Sequence, residues 1–184
     1  CHCLVGSEMC IRDSKEPVSQ ALQDQLFDEV RSQLKSAQAI ILSDYAKGSI
    51  PAPLMQNIIK AAKAAGKPVI ADPKLADFSS YAGVELLTPN LAELRTATAL
   101  SDDTLDSIAA AAGEIAAAND IGAILATLSA RGMLLAHADG SWTHAPAEAR
   151  AVFDVSGAGD TVVAMLAACI AAGIRHEDAL SLAN

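Results

Sequence analysis

Ala37-Gln-Ala-Ile-Ile-Leu-Ser43, an apolar-periodic segment over residues 52–65, and Pro68-Val-Ile-Ala-Asp72 together decide the fold. Each outer run is short, almost wholly apolar and closed by polar residues, the pattern of a strand covered on both faces. Between them Leu54, Ile58, Ile59 and Ala62 recur at helical spacing, and Gly66 follows as a C-cap. Strand, helix, strand in so little chain is the repeating unit of an α/β sheet.

Working outward, Val84-Glu-Leu-Leu-Thr88 reads as a third strand, followed by Pro89 and a helix from about Asn90. A helix from about Asp103 to Ala118 comes next, with Ser101 or Asp102 as its N-cap. Ile121 to Thr127 is a fourth strand. Gly132 to Ala138 and Ser141 to His144 form a strand pair about a turn at Asp139-Gly140. Gly157-Ala-Gly159 opens a long Ala-rich helix to about Ala172, and His176 starts another. On the N-terminal side, Val18, Leu22, Leu26, Val30 and Leu34 make one stripe of an amphipathic helix between Pro17 and Lys35. The expectation is an α/β fold with a mainly parallel, doubly wound sheet flanked by helices. Ligands of such sheets bind beyond the carboxyl ends of the strands. There this sequence carries Asp44, Asp72, Asn90 with Glu93, and Thr127.

Composition narrows the rest. The chain has 184 residues, 52% apolar and 19% charged, which is enough for one core and too little charge for a disordered tail. Aromatics are 3%, so Val, Ile, Leu and Ala must fill the interior. A net charge of −9 argues against a general nucleic-acid binder, and no apolar run reaches the length of a membrane span. Residues 1–14 are set apart. From Leu4 to Ser14 they resemble one reading frame of the adapter used in transposase-based DNA library preparation, and such scars are excluded from fold reasoning. The alternative, a metal cluster of Cys1, His2, Cys3 and Cys10, lacks the usual Cys-x₂₋₄-Cys spacing and a second ligand pair. Cys169 then reads as a small buried hydrophobe, and the absence of a disulfide framework makes a cytoplasmic location the default.

The strongest chemical signal is Asp154-Val-Ser-Gly-Ala-Gly-Asp-Thr161. Its glycines let backbone amides face one way at the first turn of a helix, which with the helix dipole makes an anion site. Asp160 sits in that turn, where a carboxylate is also favourable as a plain helix cap. Val162 breaks a dinucleotide Gly-x-Gly-x-x-Gly fingerprint, and Pro68 after Gly66-Lys67 breaks a P-loop.

Asp154 to Asp160 resembles the C-terminal signature of the PfkB, or ribokinase-like, carbohydrate kinases. Thr88-Pro-Asn-Leu-Ala-Glu93 is similar to that family's Asn-x-x-Glu motif. Ser43-Asp-Tyr-Ala-Lys-Gly48 and Asp72-Pro-Lys74, with Asp77-Phe78 and Tyr81, resemble its subgroup acting on D-glycero-D-manno-heptose 7-phosphate. The resemblance implies a ribokinase-like fold and MgATP-dependent phosphorylation of the anomeric hydroxyl to the 1,7-bisphosphate. A ribokinase- or fructokinase-like sugar kinase, a nucleoside kinase, and a catalytically dead nucleotide-binding fragment stay open as alternatives. It implies Asp160 as base and the amides of Gly157, Ala158 and Gly159 as an anion hole. Asn90 and Glu93 would lie near the nucleotide phosphates and hold Mg²⁺ through water, although Asn90 also suits a helix cap after Pro89. Lys74, Thr127, Ser129 and Gly132 fall on the nucleotide side, with many relatives carrying Gly in place of Ser129, and Asp44 and Lys47 fall on the substrate side. A lone Lys such as Lys74 is more often a solvated surface charge. His137, His144 and His176 suit ordinary surface positions, and Trp142 a packing role. Partners implied are a sugar phosphate and ATP, with a homodimer of the full-length protein open. Residues 15–184 would then be the C-terminal part of a kinase domain truncated at both ends, its sheet left with an open edge.

Overall fold

A computed structural model describes residues 18–44, 50–98, 100, 102–147 and 157–183. In chain order these residues form α1 (Gln20–Gln33), β1 (Ile40–Ser43), α2 (Ala52–Ala64), β2 (Val69–Asp72), a 3₁₀ turn (Phe78–Tyr81) and β3 (Leu86–Leu87). There follow α3 (Leu91–Ala97), α4 (Leu105–Ala118), β4 (Ala123–Thr127), a second 3₁₀ turn (Ser129–Arg131), β5 (Met133–His137), β6 (Trp142–Ala145), α5 (Ala158–Ala171) and α6 (His176–Ala183).

The strands make one six-stranded sheet in the order β1-β2-β3-β4-β5-β6. Pairs from β1 to β4 are parallel, and β4-β5-β6 are antiparallel. Alternation along the strands builds two cores. Ile124, Ala126, Leu134 and Ala136 turn to a core shared with α2, α3 and α4. Ala123, Leu125, Met133 and Leu135 turn to one shared with α5 and α6. Small residues set the spacing. A Cβ on Gly122 would stand 2.6 Å from the Glu85 carbonyl oxygen, so only glycine lets β3 and β4 meet there. Cys169 is buried in the second core. Among the described residues β1 is paired on one side only, and Ile41 is 44% exposed. No helix is long and apolar enough to cross a membrane among the described residues.

Several local expectations need correction. In α1 the inward line runs through Phe27, Val30 and Leu34, while Leu22 and Leu26 face outward, so the stripe follows i, i+3, i+7 rather than four-residue steps. Helix α4 is capped by Thr104, whose hydroxyl accepts from the Ser107 amide. Asp102 instead accepts from the Thr104 amide and hydroxyl, a turn that opens two residues before the cap, and Ser101 lies outside the described residues. The β3 ladder covers two residues, although Glu85 and Thr88 amides still bond to Val69 and Ala71 carbonyls. Trp142 is 39% exposed on edge strand β6 rather than packed.

Candidate active site

The carboxyl ends of β2, β3 and β4 open onto a cleft of about 260 Å³ lined by Asp72, Lys74, Thr88, Asn90, Glu93, Thr127, Gly157, Gly159, Asp160 and Val163, among others. That volume is near the small end of ligand pockets, room for the phosphate end of a nucleotide rather than the whole of it.

One wall is the start of α3. Pro89 delivers Asn90 in an extended conformation, and Asn90 becomes the N-cap. Its Oδ1 accepts from the Glu93 amide at 2.9 Å, and Glu93 Oε2 accepts from the Asn90 amide at 2.9 Å, a reciprocal capping box. The cap reading of Asn90 and its place in the cleft therefore coexist. Fixing one Glu93 oxygen turns the other, Oε1, to Lys74 Nζ at 2.8 Å. Lys74 Nζ also lies 3.4 Å from Asp72 Oδ1, so it is a partnered ammonium and not a solvated charge.

The opposing wall is the start of α5. Gly157 is the N-cap in the left-handed region (φ 81°), a conformation that favours glycine. Thr161 is the first residue whose amide reaches back within the helix, to the Gly157 carbonyl. The amides of Ala158, Gly159 and Asp160 thus lack intrahelical acceptors at the positive end of the helix dipole. Asp160 is exposed in this turn, and its carboxylate has no hydrogen bond among the described residues.

Among the described residues, three carboxylates share this cleft with one ammonium. Burial pushes the Asp72 carboxyl above the usual range, Lys74 draws it back, and the charges of Glu93 and Asp160 raise it further. For Lys74, burial works to lower the pKa, and the Glu93 hydrogen bond with the Asp72 and Glu93 charges outweighs it, so the net shift is upward. All the donors are hard oxygens, which suits Mg²⁺. Among the described residues no three His, Cys, Asp or Glu side chains converge into a direct metal cage, so an ion here would draw on water and phosphate for much of its coordination.

The structure thus brings Lys74, Asn90, Glu93, Thr127, Gly157, Gly159 and Asp160 to one cleft. Asp72, noted at a strand end on the ligand side but given no role from the sequence, belongs with them. Ser129 and Gly132 lie beyond Thr127, outside the cleft lining. Ser129 adopts φ +54°, which explains why glycine suits that position. Gly132, at φ +87°, packs so closely that a Cβ would meet the Ala145 carbonyl oxygen. Asp44 lies buried at the end of β1, bonded to the Tyr81 hydroxyl. Lys47 and Asp154 lie outside the described residues, as does the stretch 1–14.

The histidines are less ordinary than expected. At the amino ends of β3 and β4, away from the cleft, His137 and His176 stack with ring centroids 5.7 Å apart. His176 Nε2 lies 3.1 Å from Glu85 Oε1, and His137 Nε2 lies 3.2 Å from Glu177 Oε1 without hydrogen-bond alignment. His144 bonds to the Arg131 carbonyl.

A mixed sheet, parallel from β1 to β4, with a glycine-capped helix and an acidic capping box over its carboxyl crest has the architecture of ribokinase-like kinases. An Arabidopsis thaliana ribokinase solved with ribose and ATP is similar over 91% of this chain and 51% of its own, with a TM-score of 0.72 and 26% identity. Phosphofructokinase-2 from Escherichia coli, solved with potassium, shares the fold over 91% of this chain and 54% of its own, with a TM-score of 0.78 and 20% identity. The model of the pfkB family carbohydrate kinases matches residues 7–184, and the chain belongs to that family. It is 47% identical over 173 residues to the bifunctional protein HldE of Paramagnetospirillum magneticum, covering 94% of this chain and 36% of that protein. The chain therefore spans about a third of the length of such curated relatives.

Proposed function

We propose that this chain carries the phosphate-binding and base half of a kinase that transfers the γ-phosphoryl of ATP to a sugar hydroxyl. The acceptor is the anomeric hydroxyl of D-glycero-D-manno-heptose 7-phosphate, and the product is the 1,7-bisphosphate. The carrying observation is the cleft in which the Asp160 carboxylate and the free amides of α5 face Asn90, Glu93 and Lys74. The heptose assignment rests on the Ser43 to Gly48 and Asp72 to Lys74 motifs together with the relatives named HldE.

In this reading Asp160 takes the proton of the attacking hydroxyl as its oxygen bonds to the γ-phosphorus and the bond to the ADP oxygen breaks. The transfer demands positioning and charge stabilisation above all. The amides of Gly157, Ala158 and Gly159 supply preorganised donors where charge develops. Lys74 is the cation of the cleft, held by Glu93 and Asp72 on the side where a phosphate would bind. An acidic cleft repels an uncompensated nucleotide, so the nucleotide comes with Mg²⁺, which Glu93, Asn90 and Asp72 would hold, largely through water. When bound, the ion neutralises phosphate charge.

The test uses the complete protein that carries this chain, purified and offered MgATP with heptose 7-phosphate, ribose, fructose, fructose 6-phosphate and a nucleoside. Preferred turnover of the heptose phosphate by at least a hundred-fold in kcat/KM is expected. Preference for another acceptor would move the protein elsewhere in the family, and no turnover with any of them would overturn the kinase reading.

A further inference from the structure

Tyr81 is a side chain that the reaction above does not use, and its surroundings are unusual. It ends the 3₁₀ turn Phe78–Tyr81 and has no exposed surface. Its hydroxyl is nonetheless fully engaged. It donates to Asp44 Oδ2 at 2.7 Å and accepts from the amides of Lys74 at 3.2 Å and Leu75 at 3.3 Å. Burial pushes the phenol's pKa up, and the Asp44 hydrogen bond adds to it, so the proton stays on oxygen at any physiological pH.

Those partners belong to different parts of the crest. Asp44 follows β1 on the expected sugar side, and its amide bonds to the Asp72 carbonyl at the end of β2. Lys74 starts the segment after β2 and reaches Glu93 and Asp72 in the phosphate cleft. A single hydroxyl therefore ties the carboxylate of one subsite to the backbone that carries the cation of the other. The aromatic ring alone would suffice to fill the core, where it packs edge-on to Phe78 with centroids 6.3 Å apart. A buried hydroxyl with three well-placed partners is a constraint on position beyond that packing.

We propose that Tyr81 is a positioning residue, whose hydroxyl holds the Asp44 carboxylate in register with the Lys74 backbone so that the sugar and phosphate subsites stay aligned. This rests on the kinase reading, in which Asp44 faces the sugar. The Lys74 side chain has its own anchors in Glu93 and Asp72, so the phosphate side keeps its cation in place when the hydroxyl is lost.

Tyr81→Phe in the complete protein tests it, since the ring is kept. The expected result is a rise of about ten-fold in KM for the sugar phosphate, the scale of one lost hydrogen bond to a charged group. KM for MgATP should stay within two-fold, and the Lys74 and Leu75 amides should exchange with solvent at least ten-fold faster. In an Asp44→Asn background the same change should add little, because Tyr81 acts through Asp44. An unchanged sugar KM, equal losses for both substrates, full additivity with Asp44→Asn, or a Tyr81→Phe chain that fails to fold each overturns the proposal in favour of a purely structural tyrosine. If the parent protein phosphorylates no sugar, the kinase reading fails instead, and amide exchange at Lys74 and Leu75 still decides whether the hydroxyl holds this segment.

Discussion

Replacing Asp160 by asparagine removes a negative charge and a proton acceptor while leaving the shape of the first turn of α5 intact. The amides of Ala158, Gly159 and residue 160 keep their positions, because they are set by Gly157 and the Thr161 backbone bond rather than by the carboxylate. The substitution therefore separates base chemistry from phosphate binding. A positioned general base is worth roughly 10²–10⁴-fold in rate, about 3–5 kcal/mol on the barrier. The effect on MgATP has the opposite sign. Asp160, Glu93 and Asp72 face one ammonium, so deleting one carboxylate relieves repulsion. On an exposed wall the relief is at most ~1 kcal/mol, a few-fold gain in affinity. Loss of a favourable charge at the helix start should cost stability by only about 0.5 kcal/mol. The assay is steady-state turnover of the complete protein beside calorimetric MgATP binding on the same preparation. Turnover within three-fold of the parent would remove Asp160 from proton transfer. Collapse of MgATP binding would make the carboxylate a support for the nucleotide instead of a base.

Three other outcomes follow from the geometry. Lys74→Met leaves Asp72, Glu93 and Asp160 facing one another without the ammonium, so the Asp72 carboxyl should titrate higher still and MgATP affinity should fall about ten-fold, read by calorimetry; unchanged affinity would exclude Lys74 from the phosphate site. Gly132→Ala places a methyl against the Ala145 carbonyl in a backbone conformation that alanine resists, and should destabilise the complete protein by about 3 kcal/mol in thermal unfolding, with an unshifted midpoint counting against that packing. The His176 hydrogen bond holds the Glu85 carboxyl below its ordinary value of about 4.5, so its contribution is present above that pH and lost as pH falls through the lower folded value; Glu85→Gln should cost up to ~1 kcal/mol at pH 7 and progressively less as the solution is acidified below that ordinary value.

What the sequence revealed follows from which interactions are local. Strand ends, helix starts and the Gly66 cap depend on neighbours along the chain, and the apolar runs 37–43 and 68–72 mark β1 and β2 to within a few residues. Asn90 was legible as a helix cap for the same reason, whereas its pairing with Glu93 came from the family motif, and the capping box that joins them emerged only with the structure. The family resemblance drew Asp160 into the same site, although α5 lies far along the chain. The misses are long-range. Tyr81 reaches Asp44 across the sheet crest, His137 stacks on His176 from another element, and neither pairing has a local pattern. The outward turn of Leu22 and Leu26 was hidden because helical spacing says which residues share a face, not how much of that face the core covers.

Under the proposed function, the placement of the cleft would let a phosphate site and a base be tuned separately. Asn90 and Glu93 ride on α3, anchored by Leu94 in the core on one side of the sheet. Asp160 rides on α5, anchored by Val163 and Leu166 in the core on the other side. The sheet is the spacer between them, and its close-packed strands, with Gly122 letting β3 and β4 meet, set the width across which the two walls face each other. A fault in either core should then shift one wall relative to the other before it unfolds the protein, because packed interiors transmit strain rather than absorb it. Catalysis would suffer from such changes more than nucleotide binding does. In the proposed reaction, binding would draw on the amides of one helix end and on the capping box as separate units, whereas transfer would need both walls at once.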